Sequence, residues 1–162
     1  MSLFQWFYGA SSQAKSEAII RRVMSRMPYP MIEIDRGLVS VTAERRDTYQ
    51  VRLFAMVDNE RISFIAASGI AIERDLIPRE LVLLLLEENH RYQHGSFRLM
   101  PQDEHQQLML GRTLDPRHYP EAKMKPLGES LIENMQKMVR KLYVMGLIIN
   151  GPEHAGKRQR RG

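Results

Sequence analysis

Three observations along this chain of 162 residues predict an α+β fold. Apolar residues recur at three- and four-residue spacing near both ends, the mark of amphipathic helices. Between them, short segments alternate apolar and polar residues and are joined by tight-turn residues, the mark of antiparallel strands. In the middle, six consecutive large apolar residues, Leu81 to Leu86, follow Pro78. The resulting order is α-β-β-β-β-α-β-β-α: an antiparallel sheet, meander plus hairpin, with three helices covering mainly one face.

The first helix is expected over "AKSEAIIRRVMSRM", with Ser11 and Ser12 as candidate caps. Ile19, Ile20, Val23, Met24 and Met27 make one face, and Arg21, Arg22, Ser25 and Arg26 the other. Pro28 and Pro30 end it, because proline lacks a donor and disfavours helix in the residue before it. Ile32 and Ile34 alternate with Glu33 up to a "DRG" turn, and Val39 and Val41 follow in a second strand. Tyr49, Val51, Leu53, Ala55 and Val57 share one side of the third strand. Asp58-Asn59 forms a tight turn, since both residues tolerate left-handed backbone angles. Ile62, Phe64 and Ala66 alternate in the fourth strand.

Pro78 suits the first turn of the central helix, Glu80 sits near its positive end, and Gly95 is placed to cap its far end in a left-handed conformation. Phe97 and Leu99, then Leu108 and Leu110, make a second hairpin around "PQDEH". In the last helix Leu127, Leu131, Met135, Met138, Leu142 and Met145 step by four, four, three, four and three residues, a continuous stripe.

The length suits one domain over residues 1–150, followed by a basic tail over 151–162. A composition of 43% hydrophobic and 27% charged residues is ordinary for a globular protein. No stretch reaches the roughly 20 apolar residues of a membrane span. "MSLFQWFYG" is short and lacks a basic region, so it does not read as a signal peptide. With no cysteine, disulfides, thiolate metal sites and a cysteine nucleophile are excluded, and a cytoplasmic setting is expected. Lys157, Arg158, Arg160 and Arg161 supply four of the net +5 and leave +1 for residues 1–156. They are the candidate nucleic-acid contact of the alternative reading, a nucleic-acid-associated regulator.

A helix turns 100° per residue, so the leucine run points around more than a full circle and must be covered on several sides. Two covers fit: a central helix buried within one chain, between the sheet and the long last helix, or, as the leading expectation, a helix that lies partly in a homodimer interface. The leucine-rich helix ending near Asn89, then Gly95, Phe97, Leu99, Leu108, Leu110 and a long helix, resembles the second half of type III secretion chaperones and their YbjN-like relatives. The helix-strand order from Ala14 to Ile149 is similar too. The resemblance implies a small α+β homodimer that binds other proteins and performs no catalysis. Those chaperones are generally acidic, whereas this chain is near neutral with a basic tail, which favours the YbjN-like branch. The candidate residues for dimerisation and protein binding are Leu81, Val82, Leu84, Leu85, Phe97 and Leu99.

The chemistry-bearing residues form no catalytic pattern. His90 and His94 have the spacing of two ligands on one helix face but no evident third ligand. Glu87-Glu88 and Asp103-Glu104 are adjacent carboxylates with no partner to tune one as an acid. No Walker, GxGxxG or GxSxG motif occurs. No cofactor or metal is expected. Eleven methionines, four on the last helix, suit an adaptable core or a surface that accepts varied partners. Arg21, Arg22 and Arg26 lack interleaved aromatics and are weak evidence for nucleic-acid binding.

Overall fold

The computed structural model describes residues 3–44, 49–73, 76–103 and 105–148. Helix α1 (Leu3–Ser25) precedes four strands, β1 (Met31–Asp35), β2 (Leu38–Ala43), β3 (Val51–Asp58) and β4 (Arg61–Glu73). Helix α2 (Arg79–Arg91), strands β5 (Ser96–Gln102) and β6 (His105–Leu114), a 3₁₀ turn (Glu121–Lys123) and helix α3 (Met124–Val144) complete it. All neighbouring strands are antiparallel, in the order β1-β2-β3-β4-β6-β5. The α+β class and the element order are those that the sequence predicts.

Residues with strand alternation build the covered face. Val39, Val41, Val51, Leu53, Ala55, Ile62, Phe64, Ala66, Leu108, Leu110 and Phe97 point the same way and are buried. The helices supply the other half of this core, with Ile20, Val23, Met24 and Met27 from α1. From α3 come Met124, Leu127, Leu131, Ile132, Met135, Met138, Val139 and Leu142. Met145, expected to continue the stripe, is the residue after the helix and is exposed. Gly128 lets α3 approach: a Cβ there would run into Met27 Cε and lie 2.9 Å from Leu53 Cδ2.

Three local expectations are corrected. Ser11 and Ser12 lie inside α1, which starts at Leu3, so they do not cap it. Serine costs only a few tenths of a kcal/mol relative to alanine in a helix, so it does not stop one. Second, Pro78 is the extended residue before α2 (φ −66°, ψ 141°) and not part of its first turn. Third, α2 ends at Arg91 with Tyr92 extended beyond it, and Gly95 is not among the positive-φ glycines. Gly95 instead permits a close approach, because a Cβ would lie 3.0 Å from the Gly111 carbonyl oxygen and 3.1 Å from Leu131 Cδ2.

The β3–β4 turn is centred on Asn59 (φ 47°) and Glu60 (φ 67°), one residue later than expected. Positive φ at both central positions matches the right-handed twist of the flanking strands. In β4 the register shifts between Ala67 and Ala71, around Gly69 at φ 72°. That bulge bends the strand and opens a hollow on the side of the sheet away from the core.

Candidate protein-binding surfaces

The leucine run divides along the helix. Leu81, Leu84 and Leu85 are buried in the chain's own core, whereas Val82, Leu83 and Leu86 are 42%, 49% and 62% exposed. At 100° per residue the exposed three fall on one arc of about 100°, opposite the buried three. Phe97 is buried and Leu99 is half-buried against the same core. Four of the candidate interface residues, Leu81, Leu84, Leu85 and Phe97, are therefore covered within one chain. Val82 stands out as proposed, and Leu83 and Leu86 join it. The signal for these two was the charge around them: Arg79 and His90 share their arc, Glu87 lies about 40° beyond its edge, and together they mark it as outward.

Polar bonds clamp the other side of α2. The Asn89 amide donates to the Phe97 carbonyl (3.0 Å) and accepts from the Phe97 N–H (2.6 Å). Lys141 of α3 pairs with Glu88 at 2.8 Å, and the Tyr92 and Ser130 hydroxyls meet at 3.0 Å. The inner half of α2 is fixed to β5 and α3, and the apolar outer half is held out in a defined orientation.

The terminal strands differ. Asn89 behaves like a neighbouring strand at Phe97 and so occupies hydrogen-bonding groups on the free edge of β5. At the other end, Ile32 and Ile34 of β1 are exposed, although their alternation suggested a half-buried strand. Glu33 points instead to the helix side, where it pairs with Arg21 of α1.

The reverse face of the sheet is the third surface. Leu38, Phe54, Met56, Ile65 and Met109 alternate with the core positions and are half-buried without packing against the core. Arg52 and Arg98 flank them. The hollow beside the β4 bulge, about 190 Å³, is lined by Thr42, Arg52, Phe54, Ala67, Ser68 and Gln107 among others.

The residues weighed for chemistry are dispersed or engaged. His90 lies in the last turn of α2, but His94 is beyond its end and meets the Tyr92 ring edge-on at 5.9 Å, so the two share no helix face. No cluster of three metal-ligating side chains occurs among the described residues. Glu88 is engaged with Lys141, Asp103 sits in the β5–β6 turn at φ 53°, and Glu104 lies outside the described residues. Hydrogen bonds from Arg117, with a smaller one from His118, hold the Asp115 carboxyl far below the usual range.

The arginine face of α1 is partly structural. Arg22 grips Glu121 with two bonds of 3.1 and 2.9 Å, tying α1 to the entry of α3, and this lowers the Glu121 pKa. Arg26 is exposed. Lys157, Arg158, Arg160 and Arg161 lie outside the described residues.

Comparison with family models, with curated proteins and with solved structures gives no match for this chain. Among the described residues, no helix is long and apolar enough to cross a membrane.

Proposed function

We propose that this protein is a non-enzymatic, chaperone- or adaptor-like protein-binding module that acts as a cytoplasmic homodimer, with the outer face of α2 as its self-interface. The observation that carries the reading is the split leucine run. Its outer half, Val82, Leu83 and Leu86, is an apolar stripe on a helix whose inner half is already fixed. Removing such side chains from water is worth roughly 25 cal/mol per Å² of apolar area.

The charges on and beside this arc favour a second copy as the cover. If two α2 helices cross antiparallel about a two-fold axis at Leu83, residue 79 of one copy faces residue 87 of the other. Arg79 would then pair with Glu87 of the partner subunit, twice over, and neither has an ion-pair partner among the described residues. A two-fold interface requires this self-complementarity. A stable dimer buries about 800 Å² per copy, so the contact extends beyond the three side chains. The resemblance to YbjN-like proteins and secretion chaperones points the same way. The absence of cysteine suits a reducing compartment.

A charge swap tests the arrangement. Arg79→Glu or Glu87→Arg alone should weaken dimerisation in sedimentation velocity, and the double variant should restore it. Two single variants that sediment like the wild type, or a double variant with no recovery, would rule out this α2 pairing.

A further inference from the structure

We propose that the face of the sheet that no described element covers is a docking platform for an acidic amphipathic helix of another protein. This rests on the protein-binding reading and specifies the client's chemistry. Cross-strand pairing places Arg52, Ala67, Met109 and Arg98 in one row, on β3, β4, β6 and β5. The next row holds Phe54, Ile65 and Gly111. Two guanidinium-bearing positions thus stand three strand spacings apart, about 14 Å, on either side of an apolar floor.

That width selects the occupant. A helix with its side chains is roughly 10–12 Å across, so one lying along the strands fits between the two arginines. Its apolar stripe would rest on Phe54, Ile65 and Met109, and carboxylates on its flanks would reach Arg52 and Arg98. Gly111 lowers the floor at the centre, and the hollow of about 190 Å³ beside Arg52 can take one projecting side chain.

The arginines are positioned but not neutralised. Arg52 donates to the Thr42 hydroxyl (3.4 Å) and lies 6.0 Å from the centre of the Phe54 ring. Arg98 donates to Ser96 (3.1 Å). Neither meets a carboxylate among the described residues, whereas Arg21, Arg22, Arg36, Arg91 and Arg117 do. A second copy placed face to face would bring arginines against arginines near the same apolar floor, so this face favours an acidic partner over itself. An extended strand would seek a sheet edge and not this surface.

The test uses the full chain and two labelled 18-residue helical peptides with the same apolar stripe, one flanked by glutamates and one by lysines. The glutamate peptide should bind, weaken with salt, and shift the amide resonances of Phe54, Ile65, Met109 and Gly111. Arg52→Glu with Arg98→Glu should lower that affinity at least tenfold and admit the lysine peptide, and Arg52→Gln with Arg98→Gln should fall between. Sedimentation of the same variants should still show dimers, since α2 is untouched. Absence of binding, unchanged affinity in both double variants, or shifts confined to α2 or β1 would overturn the proposal. Protection of these resonances by self-association in wild type would overturn it too. In each case the α2 dimer, judged by sedimentation, stands or falls separately.

Discussion

Helices α2 and α3 lie on the same side of one sheet and are both rich in leucine or methionine, yet they settle differently. Nine residues of α3 are buried, Gly128 among them, and only Leu81, Leu84 and Leu85 of α2. The cause is spacing. In α3 the apolar residues step by three and four and form a stripe that the sheet and α1 cover completely. In α2 they are consecutive, so any orientation that buries three of them exposes the rest. A stripe can be satisfied within one chain, whereas a run asks for a second surface.

The sharpest way to break this contrast is truncation in each helix. Leu131→Ala or Leu142→Ala removes a fully buried side chain and should cost roughly 2–5 kcal/mol in urea unfolding. Leu83→Ala, measured where the protein is monomeric, should cost no more than about 0.5 kcal/mol, as surface changes do. Equal losses would show that the two helices are covered alike.

A smaller effect is expected at Asn89, which holds the inner half of α2 to β5 through both Phe97 backbone groups. Asn89→Ala leaves those groups without the side chain and should cost about 1–3 kcal/mol. Hydrogen exchange at Phe97 should rise more than exchange in α3. If α3 loosens equally, α2 is not a separately clamped element.

The smallest effect lies at the α1–α3 junction. The Arg22 hydrogen bonds lower the Glu121 pKa in the folded protein. The carboxylate therefore adds stability that is fully present above its unfolded value, about 4.3, and lost as pH falls through the lower folded value. Arg22→Gln should make the acid side of the stability profile shallower below about pH 4.3 and leave α2-mediated dimerisation at neutral pH unchanged. An unchanged acid profile would separate Glu121 from the fold's pH response.

Much of this was legible in the sequence where one periodicity prevails. The steps of α3 gave its buried face, and alternation in β2 through β4 gave Val41, Leu53 and Phe64 as core. The uncovered face escaped notice because "VRLFAMV" is apolar at nearly every position, so Phe54 and Met56 hide between the core residues Leu53 and Ala55. Such a strand reads as buried on both sides although no described element covers one of them. Ile32 and Ile34 misled for the opposite reason: they alternate cleanly, but Ile32 pairs with Ser40 on the face away from the helices, while Glu33 beside it turns toward α1. For the leucine run, geometry required a division into halves, and only the surrounding Arg79, Glu87 and His90 distinguish outer from inner.

The most direct measurement is a glutamate scan of Leu81 to Leu86, read by circular dichroism and by sedimentation at micromolar concentration. Wild type should be a dimer. Glutamate at Leu81, Leu84 or Leu85 buries an unpaired charge in the core and should unfold or strongly destabilise the chain. Glutamate at Val82, Leu83 or Leu86 should leave it folded, and at least one of these three should sediment as a monomer. A wild-type protein that is monomeric, or three outer variants that all remain dimers, would contradict the account.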